Sequence, residues 1–119
     1  MKYPVTYSSP LRLEWVNDAQ KWRVLWPFNA DWKSHTVRVP EGYMTDLASV
    51  PRIFRSLVPK SGHQAAVTHD WSYGDGAPHM SRSNIDSMFL DGLLTLGVPW
   101  LRAKIMYWAV RAAGWAFFK

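Results

Sequence analysis

The chain has 119 residues and a net charge of +5. Of its residues 48% are hydrophobic and 19% are charged, which is typical of a folded domain and is the opposite of the balance in a disordered chain. It contains no cysteine, which excludes disulfides, a thiol nucleophile and cysteine-ligated metal sites. The first twenty residues lack the apolar core of a secretory signal, and no uncharged run reaches the roughly 18 residues of a membrane span. We therefore expect neither a signal peptide nor a transmembrane helix.

The first forty residues have the two-residue alternation of short β-strands. Three strands are predicted, at residues 11–16, 22–26 and 35–39, with a turn at Asn17-Asp18 between the first two. They form a small antiparallel meander, and the rings of Trp15, Trp22 and Trp26 cover one of its faces.

From residue 45 to residue 118 the signals are helical. Four helices are predicted: a short one between Pro51 and Pro59, one capped by Ser61 that runs to Tyr73, one from Ser81 or Ser83 to Gly97, and one from Trp100 to Phe118. The sequence thus predicts a single α+β domain over residues 1–119, with a β-rich part at 1–40 and a helical part at 45–118. Its architecture is a small N-terminal antiparallel β-meander followed by three to four helices.

Candidate catalytic residues lie on the second of these helices, at His69, Asp70 and Tyr73. On a helix, His69 and Tyr73 are four residues apart and share a face, whereas Asp70 is rotated by about 100° from His69. One helical turn can therefore present an imidazole base to one place and a carboxylate to a metal ion beside it. The alternative is a packed histidine next to a solvated acid.

Two further aspartates have possible roles beside this pair. Asp46 lies in a loop before a helix start, where a carboxylate with neighbouring backbone carbonyls offers the oxygen ligands that calcium prefers. Asp86 can accept a hydrogen bond from His69 and fix its tautomer if the two helices pack together. Each has a structural alternative: Asp46 stabilises a turn, and Asp86 belongs to a capping-box-like string, Ser83-Asn84-Ile85-Asp86.

The motifs resemble those of a family of tailed-phage and prophage proteins of unknown function. The resemblance is carried by GYMTDLASVPR (residues 42–52), AAVTHD (65–70), Tyr73, Ser81-Arg82 and Asp86, and it extends over residues 38–115. It implies a phage or prophage origin, a location in the host cytoplasm or the virion, and other phage proteins as possible partners. It implies no particular activity.

A second resemblance is to the small prokaryotic phospholipases A2. The matching order is Asp46, Ser49 and Pro51, then Ala65, His69, Asp70 and Tyr73, then Ile85, Asp86 and Phe89, although Leu47 stands where those enzymes have glycine. The resemblance implies that Asp46, the Leu47 carbonyl and Asp70 bind calcium. It also implies that His69 activates water, that Asp86 orients His69, and that Tyr73 supports the network. The implied activity is calcium-dependent hydrolysis of a lipid ester.

Two other functions are compatible with the same residues. Ser61-Gly62-His63 followed by Asp70 resembles part of the zinc motif of D-alanyl-D-alanine-type peptidases, which would make the protein a peptidoglycan peptidase. Alternatively, the protein is a non-catalytic phage structural or accessory protein whose His-Asp network is structural. No nucleic-acid-binding motif or basic run is present, so no specific nucleic acid is expected as a partner.

The last predicted helix carries basic residues and no acid. Its core stripe is predicted to be Ile105, Trp108, Ala109, Ala112 and Trp115 or Ala116. Its basic residues, Arg102, Lys104 and Arg111 with Lys119 after them, predict contact with an anionic phospholipid surface, to which tryptophan rings are well suited. The alternative is an ordinary core helix with solvated charges.

Overall fold

The computed structural model describes residues 4–45 and 60–117 of the chain. Six strands come first: β1 (Thr6–Tyr7), β2 (Leu13–Val16), β3 (Lys21–Val24), β4 (Phe28–Trp32), β5 (His35–Val39) and β6 (Met44–Thr45). Three α-helices follow within the described ranges: α1 (His63–Trp71), α2 (Arg82–Thr95) and α3 (Trp100–Phe117). The α+β class is confirmed. The helix predicted between Pro51 and Pro59 falls outside the described residues.

The strands form two small antiparallel sheets instead of one meander. One sheet has the order β1-β4-β5 and the other the order β2-β3-β6. All three predicted strands are present, but β1, β4 and β6 were not predicted. β1 and β6 are two residues long, too short for a periodic signal, and Asn29 and Asp31 within β4 are residue types that favour turns.

The first sheet supplies much of the hydrophobic core. In the β4–β5 pairing Phe28 lies opposite Val39 and Ala30 opposite Val37, and these four side chains are fully buried. In the second sheet Trp15 pairs with Trp22, and their rings meet edge to face at 5.2 Å. Trp15 is 43% exposed, so the predicted aromatic face packs against itself on the surface and contributes little to the core.

Helix α1 is buried on nearly all sides. Residues 64–69 are all buried, which is typical of a helix enclosed by other elements. The helix begins after a 3₁₀ turn, Lys60–Gly62, and Gly62 occupies the cap position, so the prediction that Ser61 caps it was wrong. After Trp71 the chain continues through a π-helical turn, Ser72–Gly76, which starts within the helix that was predicted to run to Tyr73 and contains one residue of non-helical backbone, Gly74.

Helix α2 begins and ends with local signals that the sequence contains. The Ser81 hydroxyl accepts a hydrogen bond from the Asn84 backbone N–H, so Ser81 is the N-cap. At the other end Gly97 has a φ of +90°, and the Val98 N–H bonds to the Leu93 carbonyl, as in a Schellman motif. The cap at Ser81 places Asp86 in the second turn of α2, on its buried side.

Helix α3 packs on α2 through a stripe different from the predicted one. The buried residues in the part of α3 whose side chains are described, residues 100–113, are Ala103, Met106, Ala109 and Val110. Of the predicted stripe, Ile105, Trp108 and Ala112 are exposed and Ala109 is buried, and the side chains of Trp115 and Ala116 are not among those that the structure describes. Helix α3 carries apolar residues on more than one side, so periodicity alone does not fix its rotation about its own axis. Among the described residues, no helix is long and apolar enough to cross a membrane.

Candidate active site

His69 and Asp86 form a buried hydrogen-bonded pair between α1 and α2. The His69 Nε2 atom lies 2.7 Å from the Asp86 Oδ1 atom, and the side chains are 1% and 0% exposed. This is the contact expected if the two helices pack together. The alternative, a capping box formed by Ser83 and Asp86, is wrong because the N-cap of α2 is Ser81.

Tyr73 binds the same carboxylate oxygen. Its hydroxyl donates to Asp86 Oδ1 at 2.6 Å, and its ring lies 4.3 Å from the His69 ring, centroid to centroid. The four-residue spacing of His69 and Tyr73 along α1 and into the π-helical turn therefore brings both side chains to one acceptor. Burial, followed by the hydrogen bond to Asp86 and the charge of that carboxylate, raises the pKa of Tyr73 and keeps it a donor.

Arg111 on α3 completes the surroundings of Asp86. Its guanidinium donates to Asp86 Oδ2 at 2.9 Å, and the arginine side chain is 27% exposed. Burial by itself would raise the pKa of Asp86, but the hydrogen bonds from His69, Tyr73 and Arg111 outweigh it and hold that pKa below its ordinary value. Asp86 is therefore ionised at neutral pH, and Arg111 supplies the balancing charge.

These contacts assign the tautomer of His69. An ionised carboxylate only accepts hydrogen bonds, so Nε2 carries the proton that is donated to Asp86. The buried Nδ1 atom has no hydrogen-bond partner among the described residues. A second proton there would be an unsatisfied buried donor, at a cost of about 1–3 kcal/mol. A neutral imidazole with a lone pair on Nδ1 is the form that a general base requires.

A small cavity lies beside His69. Its volume is about 10 Å³, close to the ~10–15 Å³ that one water molecule needs. It is lined by Tyr7, Ala65, Thr68, His69, Ser72, Ile85, Met88 and Phe89. Most of this lining is apolar, so the cavity places the imidazole in surroundings of low polarity.

Asp70, the next residue, has different partners. Its Oδ2 atom accepts hydrogen bonds from the Tyr43 and Thr45 hydroxyls, each at 2.7 Å. Among the described residues no basic side chain forms an ion pair with it. Thr45 ends β6 and precedes Asp46 in the chain. Asp46 and Leu47, the other predicted calcium ligands, fall outside the described residues.

The described part of the chain contains no group of three or more His, Cys, Asp or Glu side chains placed to hold a metal ion. For the zinc motif, His63 is the first residue of α1 and Asp70 lies near its end. Seven residues of helix separate them by about 10.5 Å along the axis. They are thus two turns apart on one helix.

Three contributors to this region were missed by sequence reasoning: Arg111, Tyr43 and Thr45. Arg111 had been grouped with the basic residues that face outward, but it turns inward to Asp86. A weak signal existed, since Arg111 directly follows the buried Val110 on a largely apolar helix. Tyr43 and Thr45 alternate next to Asp46, but nothing local indicates that Asp70 is their partner.

The fold is of the α+β class. The contacts form a buried hydrogen-bond network of histidine, aspartate, tyrosine and arginine side chains, and this network joins three helical segments. The family model for a protein of unknown function, DUF1353, matches residues 22–110, so the chain belongs to that family. No curated protein and no solved structure matches the chain.

Proposed function

We propose that the protein is a calcium-dependent lipid-ester hydrolase of the phospholipase A2 type, with His69 as general base. The observation that carries the proposal is the pairing of His69 Nε2 with the ionised Asp86, while Nδ1 has no hydrogen-bond partner among the described residues and His69 lines a cavity the size of one water molecule. Phage or prophage origin belongs to the same proposal and is supported by the resemblance of the motifs to those of phage proteins.

In this mechanism Nδ1 of His69 removes a proton from water as the oxygen attacks the ester carbonyl carbon, and the same proton then passes to the leaving alkoxide. Asp86 acts as a positioning residue that holds the imidazole in the required tautomer, as carboxylates do in other histidine-dependent hydrolases. Tyr73 and Arg111 hold Asp86. They keep it ionised, so it does not remove the second imidazole proton.

Asp70 and the Thr45 hydroxyl offer hard oxygen donors of the kind that calcium binds, and Asp70 lacks a basic partner among the described residues. We propose that Asp70 binds calcium together with Asp46 and the Leu47 carbonyl. When bound, the cation would polarise the ester carbonyl and stabilise the negative charge that develops on its oxygen.

The test measures fatty-acid release from phosphatidylglycerol vesicles with calcium and with a chelator. The wild type should release fatty acid only with calcium. His69→Gln, whose amide can still donate to Asp86, should lose about 10²–10⁴-fold in rate. His79→Gln is the matched control, since His79 is an exposed histidine outside the network. If the wild type with calcium releases no more fatty acid than the vesicles alone, the hydrolase proposal fails.

A second candidate function has its own support. Because His69 and Asp86 are almost fully buried, and Arg111 already balances the carboxylate charge, the network also meets the requirements of a purely structural device. On this proposal the protein is a non-catalytic structural or accessory component. His69→Gln would then lower the unfolding midpoint in urea and change no measurable turnover.

A further inference from the structure

Helix α3 presents a continuous apolar row to solvent. Leu101, Ile105 and Trp108 are 66%, 39% and 62% exposed, and Ala112 is exposed as well. Their spacing of i, i+4, i+7 and i+11 places all four on one side of the helix, within an arc of about 60° at 100° per residue. We call this row the α3 outer face. It lies on the other side of the helix from the buried stripe that packs on α2.

The α3 outer face is bordered by positive charge. The Lys104 ammonium lies 5.8 Å from the centre of the Trp108 ring and 5.5 Å from that of Tyr107. Arg102 is exposed on the other border of the row. No acidic residue occurs in the sequence after Asp91, so nothing on this helix compensates these charges. An apolar row with basic borders is the pattern of a helix that lies in the plane of a membrane surface.

We infer that the α3 outer face docks on an anionic phospholipid surface. The helix lies parallel to the bilayer, with Leu101, Ile105 and Trp108 at the level of the headgroups and upper acyl chains. Lys104 and Arg102 are then at the level of the lipid phosphates, and the contact of Lys104 with the Trp108 ring keeps its charge at the interface.

The charge distribution favours lipid over a second copy of the chain. Two α3 outer faces brought together would set the same basic borders against one another, whereas an anionic surface neutralises them. The inference goes beyond the proposed hydrolase activity and does not depend on it, because it rests on residues outside the His69 network.

The test is co-sedimentation of the full chain with vesicles of phosphatidylcholine alone or mixed with phosphatidylglycerol. It is done with a chelator present and in the His69→Gln background, so neither hydrolysis nor calcium contributes. Binding should require phosphatidylglycerol and should be lost at about 1 M salt, where the Debye length is about 3 Å. The Arg102→Gln, Lys104→Gln double variant should bind about 30-fold more weakly, at about fivefold per basic residue near the surface.

A matched pair of variants tests the apolar row. Trp108→Gln should abolish most binding, whereas Trp26→Gln should leave it unchanged. Trp26 is a suitable control because it is 53% exposed and has Arg12 at 5.9 Å from its ring, so it reproduces an exposed tryptophan beside a basic residue.

Three outcomes would overturn the inference. The first is equal binding to vesicles with and without phosphatidylglycerol. The second is equal loss in the Trp26 and Trp108 variants. The third is the absence of binding to phosphatidylglycerol vesicles; a dimer, seen by analytical ultracentrifugation, that Trp108→Gln dissociates would then show that the face pairs two copies of the chain. Failure of hydrolysis with intact, charge-dependent binding would instead reject only the proposed catalytic function.

Discussion

Asp70 and Asp86 are carboxylates of neighbouring helices with opposite electrostatic surroundings. Asp86 is fully buried and accepts hydrogen bonds from an imidazole, a phenol and a guanidinium, so its charge is balanced within the protein. Asp70 is partly buried, and among the described residues its hydrogen bonds come from the Tyr43 and Thr45 hydroxyls. Hydroxyls satisfy an acceptor but carry no charge. Of the two, Asp70 is therefore the carboxylate whose surroundings favour an added cation.

The difference separates two tasks that the sequence places close together. A buried charge that is fully paired holds elements in place, because removing one partner leaves the others unsatisfied. A carboxylate held only by neutral donors is positioned but retains its affinity for a positive ion. We therefore expect substitutions at Asp86 to affect stability and substitutions at Asp70 to affect cation binding.

The largest expected effect is the loss of stability on Asp86→Ala. This change leaves His69, Tyr73 and Arg111 without their shared acceptor, at an expected cost of about 3–5 kcal/mol in the free energy of unfolding. Asp70→Ala, at a partly buried site with neutral partners, should cost about 1–2 kcal/mol. Urea denaturation monitored by circular dichroism measures both. Equal losses would show that the two surroundings do not differ as described.

For calcium binding, Asp70 should matter more than Asp86, which reverses their expected ranking for stability. If calcium binds only the folded chain, calcium at about 100 times its dissociation constant stabilises the wild type by about 2.7 kcal/mol. Asp70→Asn should remove this gain, because the amide lacks the charge that holds the cation. Asp18 is exposed in the turn after β2, so Asp18→Asn is the control and should keep the calcium-dependent gain in stability. Thermal unfolding with calcium and with chelator measures the gain, and a gain that survives Asp70→Asn would argue against this site.

Acid should weaken the protein through Asp86. Since folding lowers the pKa of Asp86, its contribution is present above the unfolded-state pKa of about 3.9 and is lost as the pH falls through the lower, folded-state value. Each pKa unit of lowering contributes about 1.4 kcal/mol. Melting temperatures should therefore be measured from neutral pH down to about pH 2. Below pH 4 the melting temperature of the wild type should fall more steeply than that of Asp86→Asn. Parallel curves would mean that Asp86 does not carry this dependence.

The smallest effects are expected from the two tyrosines that bind these carboxylates. Tyr73→Phe removes one donor from Asp86, and because two others remain the cost should be about 1 kcal/mol. Tyr43→Phe removes a donor from the less buried Asp70 and should cost less, since water can replace the hydroxyl. The urea unfolding midpoints of the two variants compare these losses of stability. A larger loss of stability for Tyr43→Phe than for Tyr73→Phe would contradict the prediction.

Local spacing predicted much of the helical part of this protein. The limits of α2 follow from Ser81 and Gly97, and the four-residue separation of His69 and Tyr73 brings them to one acceptor. These features were predictable because capping and helical periodicity act over a few residues. The strand at His35–Val39 was also predicted with its observed limits, since its alternation and the following Pro40 are local signals.

The sequence by itself thus determined the α+β class, the strand and helix signals and the aspartates available to His69. Only the tertiary structure decided that Asp86 accepts a hydrogen bond from Arg111, that Asp70 accepts one from Tyr43, and that the Trp108 side chain of α3 faces solvent. These outcomes depend on how an element is rotated and on what packs against it. Periodicity does not encode that choice when a helix is apolar on more than one side, or when the partner lies 25 or more residues away.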